Sequence, residues 1–158
     1  MLEWFEEVGK DYPWRRTADP YEVLVSELML QQTQVATVLG RGYYRRWLEL
    51  FPDFDALAAA DEEEVLRAWE GLGYYSRARN LHKAARAGVA AHGGRCPRDP
   101  DQIAALPGVG RYTAGAVASF AYEAPGPAVD AIIARVLARQ FDFGQRVDTT
   151  AGNKQLWD

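Results

Sequence analysis

One cysteine, Cys96, is all the thiol chemistry that the 158 residues contain. A single cysteine excludes an internal disulfide and any metal or iron–sulfur site built from several thiolates of this chain, so Cys96 reads as an ordinary loop thiol. No apolar run is long enough to span a bilayer, and the first residues, Met1-Leu2-Glu3-Trp4-Phe5-Glu6-Glu7, are acidic where a signal peptide would be basic. The expectation is a soluble intracellular protein with no membrane partner. Alternating Val/Ile/Thr-rich stretches bounded by turns are also missing, which argues against a sheet. Nor is there a surplus of positive charge: the formal net charge of −4 disfavours a nonspecific nucleic-acid binder, because neutralising phosphates takes Lys and Arg.

What is present points to an all-α globule. Apolar residues make up 48% of the chain, ample for the core of one domain, or of one domain and part of a second. They recur at helical spacing almost throughout. The pattern predicts a helix over Leu2 to Val8, an irregular linker from Tyr12 to Pro20, and a long helix from about Tyr21 that breaks near Gly40-Arg41-Gly42. Asp19 caps that helix, with Pro20 at its first position. Further helices are predicted for Tyr43 to Leu50, Phe54 to Ala59, Asp61 to Trp69 and Ser76 to His92, the last stopped by Gly93-Gly94. After the loop from Cys96 to Pro100, a short helix leads into Leu106-Pro107-Gly108-Val109-Gly110, and another runs to Tyr122. Asp130 caps a helix of Ala131 to Phe141, and Lys154 to Asp158 start one more.

Charge is segregated along this framework. From Gly71 to Arg98 there is no acid, while Arg77, Arg79, Lys83, Arg86, Arg95 and Arg98 are basic; acids gather in the first eleven residues and in Asp61-Glu62-Glu63-Glu64. The segregation gives either one electropositive face or a solvated helix surface.

The stretch from Leu106 to Gly110 is the most specific local signal. Pro107 stops one helix, Gly108 and Gly110 permit a tight backbone, and the next helix opens with bare amides. Such amides, with the helix dipole behind them, can hold a phosphate oxygen without lysines. The plain alternative is a helix–helix turn.

Two carboxylates carry candidate chemistry. Glu27 sits among Val23, Leu24 and Leu30 at helical spacing, where poor solvation would keep it protonated and able to donate a proton, unless it is partly exposed or paired. Asp130 is first of all a helix cap; its second reading is a carboxylate that stabilises a sugar cation as an N-glycosidic bond breaks. Gln31-Gln32-Thr33-Gln34 is expected to continue the Glu27 helix with groups suited to base edges or to the gap left by an extruded nucleotide. Tyr74-Tyr75 offers either an aromatic wedge beside the basic helix or core packing.

Together these residues resemble the MutY-type adenine DNA glycosylases, within the helix-hairpin-helix glycosylase superfamily that also holds endonuclease III. The resemblance runs from about Tyr12 to Arg139. Its motifs are Pro13-Trp14-Arg15, Asp19-Pro20-Tyr21, Val25-Ser26-Glu27 through Met29-Leu30-Gln31-Gln32-Thr33-Gln34-Val35, Gly71-Leu72-Gly73-Tyr74-Tyr75, Arg77-Ala78-Arg79-Asn80-Leu81, and Leu106 to Gly110 with Thr113-Ala114-Gly115-Ala116.

The resemblance implies that Glu27 is the general acid toward adenine and Asp130 the carboxylate facing the sugar. Arg15 and Tyr112 would line the adenine pocket, and Gln31, Gln32, Leu72 and Tyr74 would meet the lesion and its opposite base. The hairpin of Gly108, Val109 and Gly110 would hold backbone phosphate. It also implies double-stranded DNA with adenine opposite 8-oxoguanine or guanine as the partner, and a cytoplasmic location with the bacterial nucleoid. Tyr112 stands where lyase-proficient relatives carry lysine; without that amine there is no Schiff base, so a monofunctional glycosylase is expected. Thymine removal from G:T pairs and a catalytically weak DNA-binding module are the alternatives.

Three departures from the family pattern stand out. Asp130 is followed by Ala131-Ile132-Ile133 where the family runs Gly-Asn-Val, which puts an alkyl group beside the carboxylate and predicts reduced activity. By helical spacing, Ile132 shares a site-facing stripe with Arg135 and Arg139, while Ile133, Val136 and Leu137 are expected to form the core stripe. Leu39-Gly40-Arg41-Gly42 is about two residues longer than the usual junction. The family's later helices, its [4Fe-4S] cysteines and its 8-oxoguanine-recognising domain would all lie beyond residue 158. The expected layout is therefore a partial second domain at 1–19 and 126–158 around a six-helix domain at 20–125, with no cofactor in this chain. The Trp4, Phe5 and Val8 face is expected to be exposed.

Overall fold

The computed structural model describes residues 2–157, with side chains from residue 3. Among the described residues there are eleven α-helices and no strand, as the absence of alternating β-type stretches requires. In chain order they are α1 (Leu2–Val8), α2 (Pro20–Leu30), α3 (Val35–Gly40), α4 (Tyr43–Leu50), α5 (Phe54–Ala59), α6 (Glu62–Ala68), α7 (Ser76–His92), α8 (Pro100–Ala104), α9 (Arg111–Tyr122), α10 (Ala131–Gln140) and α11 (Thr150–Trp157), with a 3-10 turn at Pro13–Arg15. No helix is long and apolar enough to cross a membrane among these residues.

Aspartate caps set several of the starts. The Asp19 carboxylate accepts from the amides of Tyr21 and Glu22, with Pro20 at the first helical position, and Asp53 and Asp99 do the same for α5 and α8. Gly93 ends α7 in the left-handed conformation at φ 61°.

The core forms where α2 crosses its neighbours. Tyr21, Val23, Leu24, Val25, Leu28 and Met29 are all buried, each large aliphatic side chain contributing about 1.5–3 kcal/mol on removal from water. α2 packs on α9, whose buried face is the small run Thr113-Ala114-Gly115-Ala116-Val117-Ala118, so the two backbones approach closely. α7 packs on α5, with Gly88 against the Phe54 ring. Trp47 ties the layers together: its Nε1 donates to Tyr21 Oη at 3.1 Å, which donates to the Phe51 carbonyl at 2.7 Å, and its ring meets Trp69 edge-on.

Two expectations need correcting. The Glu27 helix does not continue through Gln31-Gln32-Thr33-Gln34: α2 stops at Leu30, and α3 begins only at Val35. The cause lies across the fold. Nη1 of Arg77 donates to the carbonyls of Leu28 and Met29, each at 2.9 Å, which in a continuing helix would receive the amides of Gln32 and Thr33. The Thr33 amide turns back to the Leu30 carbonyl instead.

The other correction concerns α10. Ile133 and Val136 do not form a core stripe; they are 38% and 50% exposed, and Ala134 is the residue of this helix that is buried. That face is only partly covered, α10 meeting chiefly α11. The Trp4, Phe5 and Val8 face of α1 is exposed, as expected from the comparison with the family pattern.

Candidate active site

Close packing of α2 on α9 brings Glu27 to Tyr112. Glu27 is half-buried on a helix whose flanking residues, Ser26 and Leu28, are buried. Desolvation pushes its carboxyl above the ordinary range; the neighbouring Tyr112 hydroxyl, a hydrogen-bonding partner of the carboxylate, opposes this, and the negative charge of Asp130 adds to it. Tyr112 responds in kind. Burial first, then Glu27 and Asp130, push its phenol up to about 12, so it stays protonated and able to donate. Glu27, Tyr112 and Asp130 thus form one electrostatic cluster, although the sequence scatters them over three helices.

Asp130 is both a cap and a member of this cluster. Its Oδ1 accepts from the amides of Ile132 at 2.9 Å and Ile133 at 2.7 Å, which fixes the carboxylate at the head of α10 and leaves Oδ2 outside the cap. A second constraint comes from Gly115. A Cβ there would lie 2.3 Å from the Pro127 carbonyl oxygen, so only glycine lets the segment before Asp130 lie against α9 one turn from Tyr112. Tyr112 and Asp130 face a cleft of about 900 Å³ that Arg111, Arg135, Lys154 and Trp157 also line. The Arg111 guanidinium stacks on the Trp157 ring at 4.4 Å. An acid whose affinity for its proton is raised by burial, a fixed carboxylate and a cleft edged by cations suit the departure of a base from an anionic polymer.

The hairpin has the expected geometry, with one refinement. Gly108 alone is left-handed, at φ +76°, whereas Gly110 is extended and caps α9 with no side chain. A Cβ at Gly110 would meet nothing within 4 Å, so the protein itself does not require glycine there. The open space leads to the free amides at the start of α9, where a phosphate oxygen could approach. Val109 and Leu106 are buried and anchor the turn.

The remaining candidates divide. Gln32, at φ 55°, and Tyr74, at φ 46° and 61% exposed, are held left-handed despite their side chains. Such backbone costs about 1 kcal/mol or more per residue and persists only when the surroundings enforce it. Gln31 is half-buried beside Gln32. Leu72 points into the core, leaving Tyr74 and, less fully, Tyr75 exposed in its loop. Arg15 is not gathered into the cluster: its guanidinium bonds the Lys10 carbonyl at 2.6 Å and lies over the Phe5 and Tyr12 rings.

Ile132 is 61% exposed beside Asp130. The residues present do not fit a four-thiolate cluster. Cys96 is buried, burial pushes its thiol up to about 12, and no group of His, Cys, Asp or Glu suited to a metal occurs among the described residues.

Two positioning features escape a reading of the sequence alone. Gly115 looks like any helix glycine until Pro127 is seen against it. Arg77 carried a usable signal, since it heads the stripe Arg77, Leu81, Ala84, Ala85 and Gly88, a cation on an otherwise apolar face.

Comparison with known proteins agrees with this geometry. The family model described as HhH-GPD superfamily base excision DNA repair protein matches residues 25–157. The chain is 46% identical to the Homo sapiens protein named adenine DNA glycosylase, covering 99% of this chain and 30% of that protein. It is 45% identical to the Mycolicibacterium smegmatis protein of the same name, over 88% of this chain and 47% of the other. It therefore spans between about a third and a half of these relatives. The structure of a thermostable thymine-DNA glycosylase superposes with a TM-score of 0.87 at 31% identity, covering 99% of this chain and 71% of that one. A trapped endonuclease III–DNA covalent intermediate gives 0.77 at 29% identity, over 94% and 68%. The chain belongs to the HhH-GPD superfamily of base excision DNA repair proteins.

Proposed function

We propose that this chain is the catalytic core of an adenine DNA glycosylase, which hydrolyses the N-glycosidic bond of adenine mispaired with 8-oxoguanine or guanine in double-stranded DNA. The carrying observation is the shared cluster of Glu27, Tyr112 and Asp130, in which desolvation pushes one carboxyl above its ordinary range beside another fixed by backbone amides. The names of the relatives, matched across nearly the whole chain, support adenine as the base. Double-stranded DNA as the partner follows from the family and from the DNA-bound endonuclease III neighbour, and in this reading the chain works wherever the cell keeps its DNA, for a bacterium with the nucleoid in the cytoplasm.

In this reading the hairpin amides hold a phosphate, and the adenine is turned out of the stack toward the Asp130 cleft. Glu27 donates its proton to a ring nitrogen of the adenine, the glycosidic bond breaks, and its electron pair leaves with the base. Oδ2 of Asp130 stabilises the resulting sugar cation until water adds. Tyr112 holds Glu27 through its hydroxyl and offers no amine, so strand cleavage does not follow base loss. Arg15, with Gln31, Gln32 and Tyr74, completes the proposed substrate contacts, whereas Leu72, buried in the core, supports their loop from behind. Arg15 would have to leave Lys10 to reach the base. No step uses an iron–sulfur cluster.

A second reading, thymine removal from G:T pairs, is favoured by the close superposition on a thymine-DNA glycosylase. Duplexes with adenine opposite 8-oxoguanine, adenine opposite guanine, and thymine opposite guanine separate the two after alkali treatment. Alkali-dependent nicking at adenine is expected. Nicking at thymine alone would establish the second reading, and binding without nicking would reduce the chain to a DNA-binding module.

A further inference from the structure

Arg77 is a buried cation, 6% exposed, with no carboxylate paired to it among the described residues. Its charge is met by carbonyl oxygens from two separate stretches, 28–31 and 72–74. Nη1 donates to Leu28 and Met29 at the C-terminal end of α2, where the helix dipole favours a cation, and to Gln31. Nη2 donates to Thr33 Oγ1 at 3.1 Å, to the Leu72 carbonyl at 3.3 Å and to the Gly73 carbonyl at 3.2 Å. The guanidinium also lies over the rings of Trp69 and Tyr74, at 5.3 and 5.5 Å.

One planar group therefore spans the turn at 31–33 and the loop at 72–74. These are the segments that hold Gln32 and Tyr74 in left-handed backbone. Neither segment otherwise bonds the other through its side chains. Five N–H donors in a rigid fork make this bridge possible; a lysine ammonium, with three donors at one point, cannot reach both loops at once.

We propose that Arg77 is a positioning residue that couples the two loops, so that Gln32 and Tyr74 meet the duplex as one rigid unit rather than as two independent contacts. What the loops engage rests on the glycosylase reading above. The coupling itself is a property of the protein without DNA.

Amide hydrogen exchange on the DNA-free chain tests it, with two variants. Arg77→Lys should raise exchange at least tenfold in both 31–34 and 72–75 while the amides of α9 keep their rates. Thr33→Val removes the Oγ1 bond to Arg77 and a long bond from the same hydroxyl to the Gln31 carbonyl, both on one side only; if the guanidinium transmits, exchange also rises in 72–75. A change confined to 31–34 in Thr33→Val overturns the coupling, whether or not Arg77→Lys folds.

A duplex carrying 2-aminopurine in place of the target adenine reports the consequence. Arg77→Lys should bind this duplex with affinity close to wild type but lose most of the fluorescence rise that accompanies base extrusion. An undiminished rise refutes joint engagement. Failure of the wild-type chain to excise adenine from any duplex would count against the glycosylase reading alone, because the exchange data decide the coupling separately.

Discussion

Gly108 of the hairpin lies directly on Asn80 of α7: a Cβ at Gly108 would sit 2.4 Å from Asn80 Cβ and 2.7 Å from its Cγ and Nδ2. The hairpin turn is thereby keyed to the helix that carries Arg77. Gly108→Ala must bear both the left-handed backbone and the overlap, a destabilisation of about 2–4 kcal/mol. Chemical denaturation of Gly108→Ala, Asn80→Gly and the double variant measures this. The double variant should be less destabilised than the sum of the singles, because removing the Asn80 side chain clears the overlap and leaves only the backbone term. Strict additivity would show that the two residues do not share the constraint.

Gly115 positions Asp130. Gly115→Ala drives a methyl group into the Pro127 carbonyl and shifts the segment ahead of the carboxylate. A displacement near 1 Å at a reacting group costs on the order of 100-fold in rate. Single-turnover excision should therefore fall steeply with little change in duplex affinity. Equal losses in affinity and rate would point to general damage to α9 instead.

Ile132 tests the departure beside Asp130. The side chain is 61% exposed, so Ile132→Asn should leave thermal stability nearly unchanged. The regained amide adds about one hydrogen bond, near 1 kcal/mol, and should raise the single-turnover rate roughly fivefold. An unchanged rate would mean that the alkyl group does not limit this site.

Most of the fold was legible from the sequence because its helices are bounded locally. Asp19-Pro20, Asp53, Asp130 and Gly93 each fix a helix end through their own backbone or side chain, and those ends fall where spacing placed them. The break after Leu30 was not legible, because its cause is a guanidinium 47 positions away in the chain, at Arg77. The exposed α10 face was misread for a related reason: periodicity shows that Ile133, Val136 and Leu137 lie on one side but not whether anything covers it. At the site, the apolar neighbours of Glu27 allowed either a poorly solvated acid or a paired, partly exposed one, and the family motif supplied its expected role; its meeting with Tyr112 and Asp130 depends on small residues of α9 that carry no chemical signal. Arg15 shows the converse, since its motif is readable while its contacts, to Lys10, Phe5 and Tyr12, are set by the packing of α1.

The raised pKa of Glu27 has a consequence for stability. Desolvation makes the folded chain hold this proton more tightly than the unfolded chain does. Stability therefore falls as pH rises from the ordinary carboxyl pKa, about 4.3, through the raised folded value. Glu27→Gln cannot ionise. Its stability relative to wild type should grow across that window and level off above it, as read by urea denaturation between pH 4 and 8. A difference that does not vary with pH would place the Glu27 carboxylate in a well-solvated setting.

The most direct test compares wild type and Glu27→Gln under single-turnover conditions on a duplex with adenine opposite 8-oxoguanine, with affinity measured on the same DNA. The wild-type chain should yield alkali-labile sites at adenine. Glu27→Gln should bind as tightly yet lose roughly 10²–10⁴ in rate, the range supplied by a general acid. Excision by Glu27→Gln at the wild-type rate would contradict the assignment of Glu27 as the proton donor.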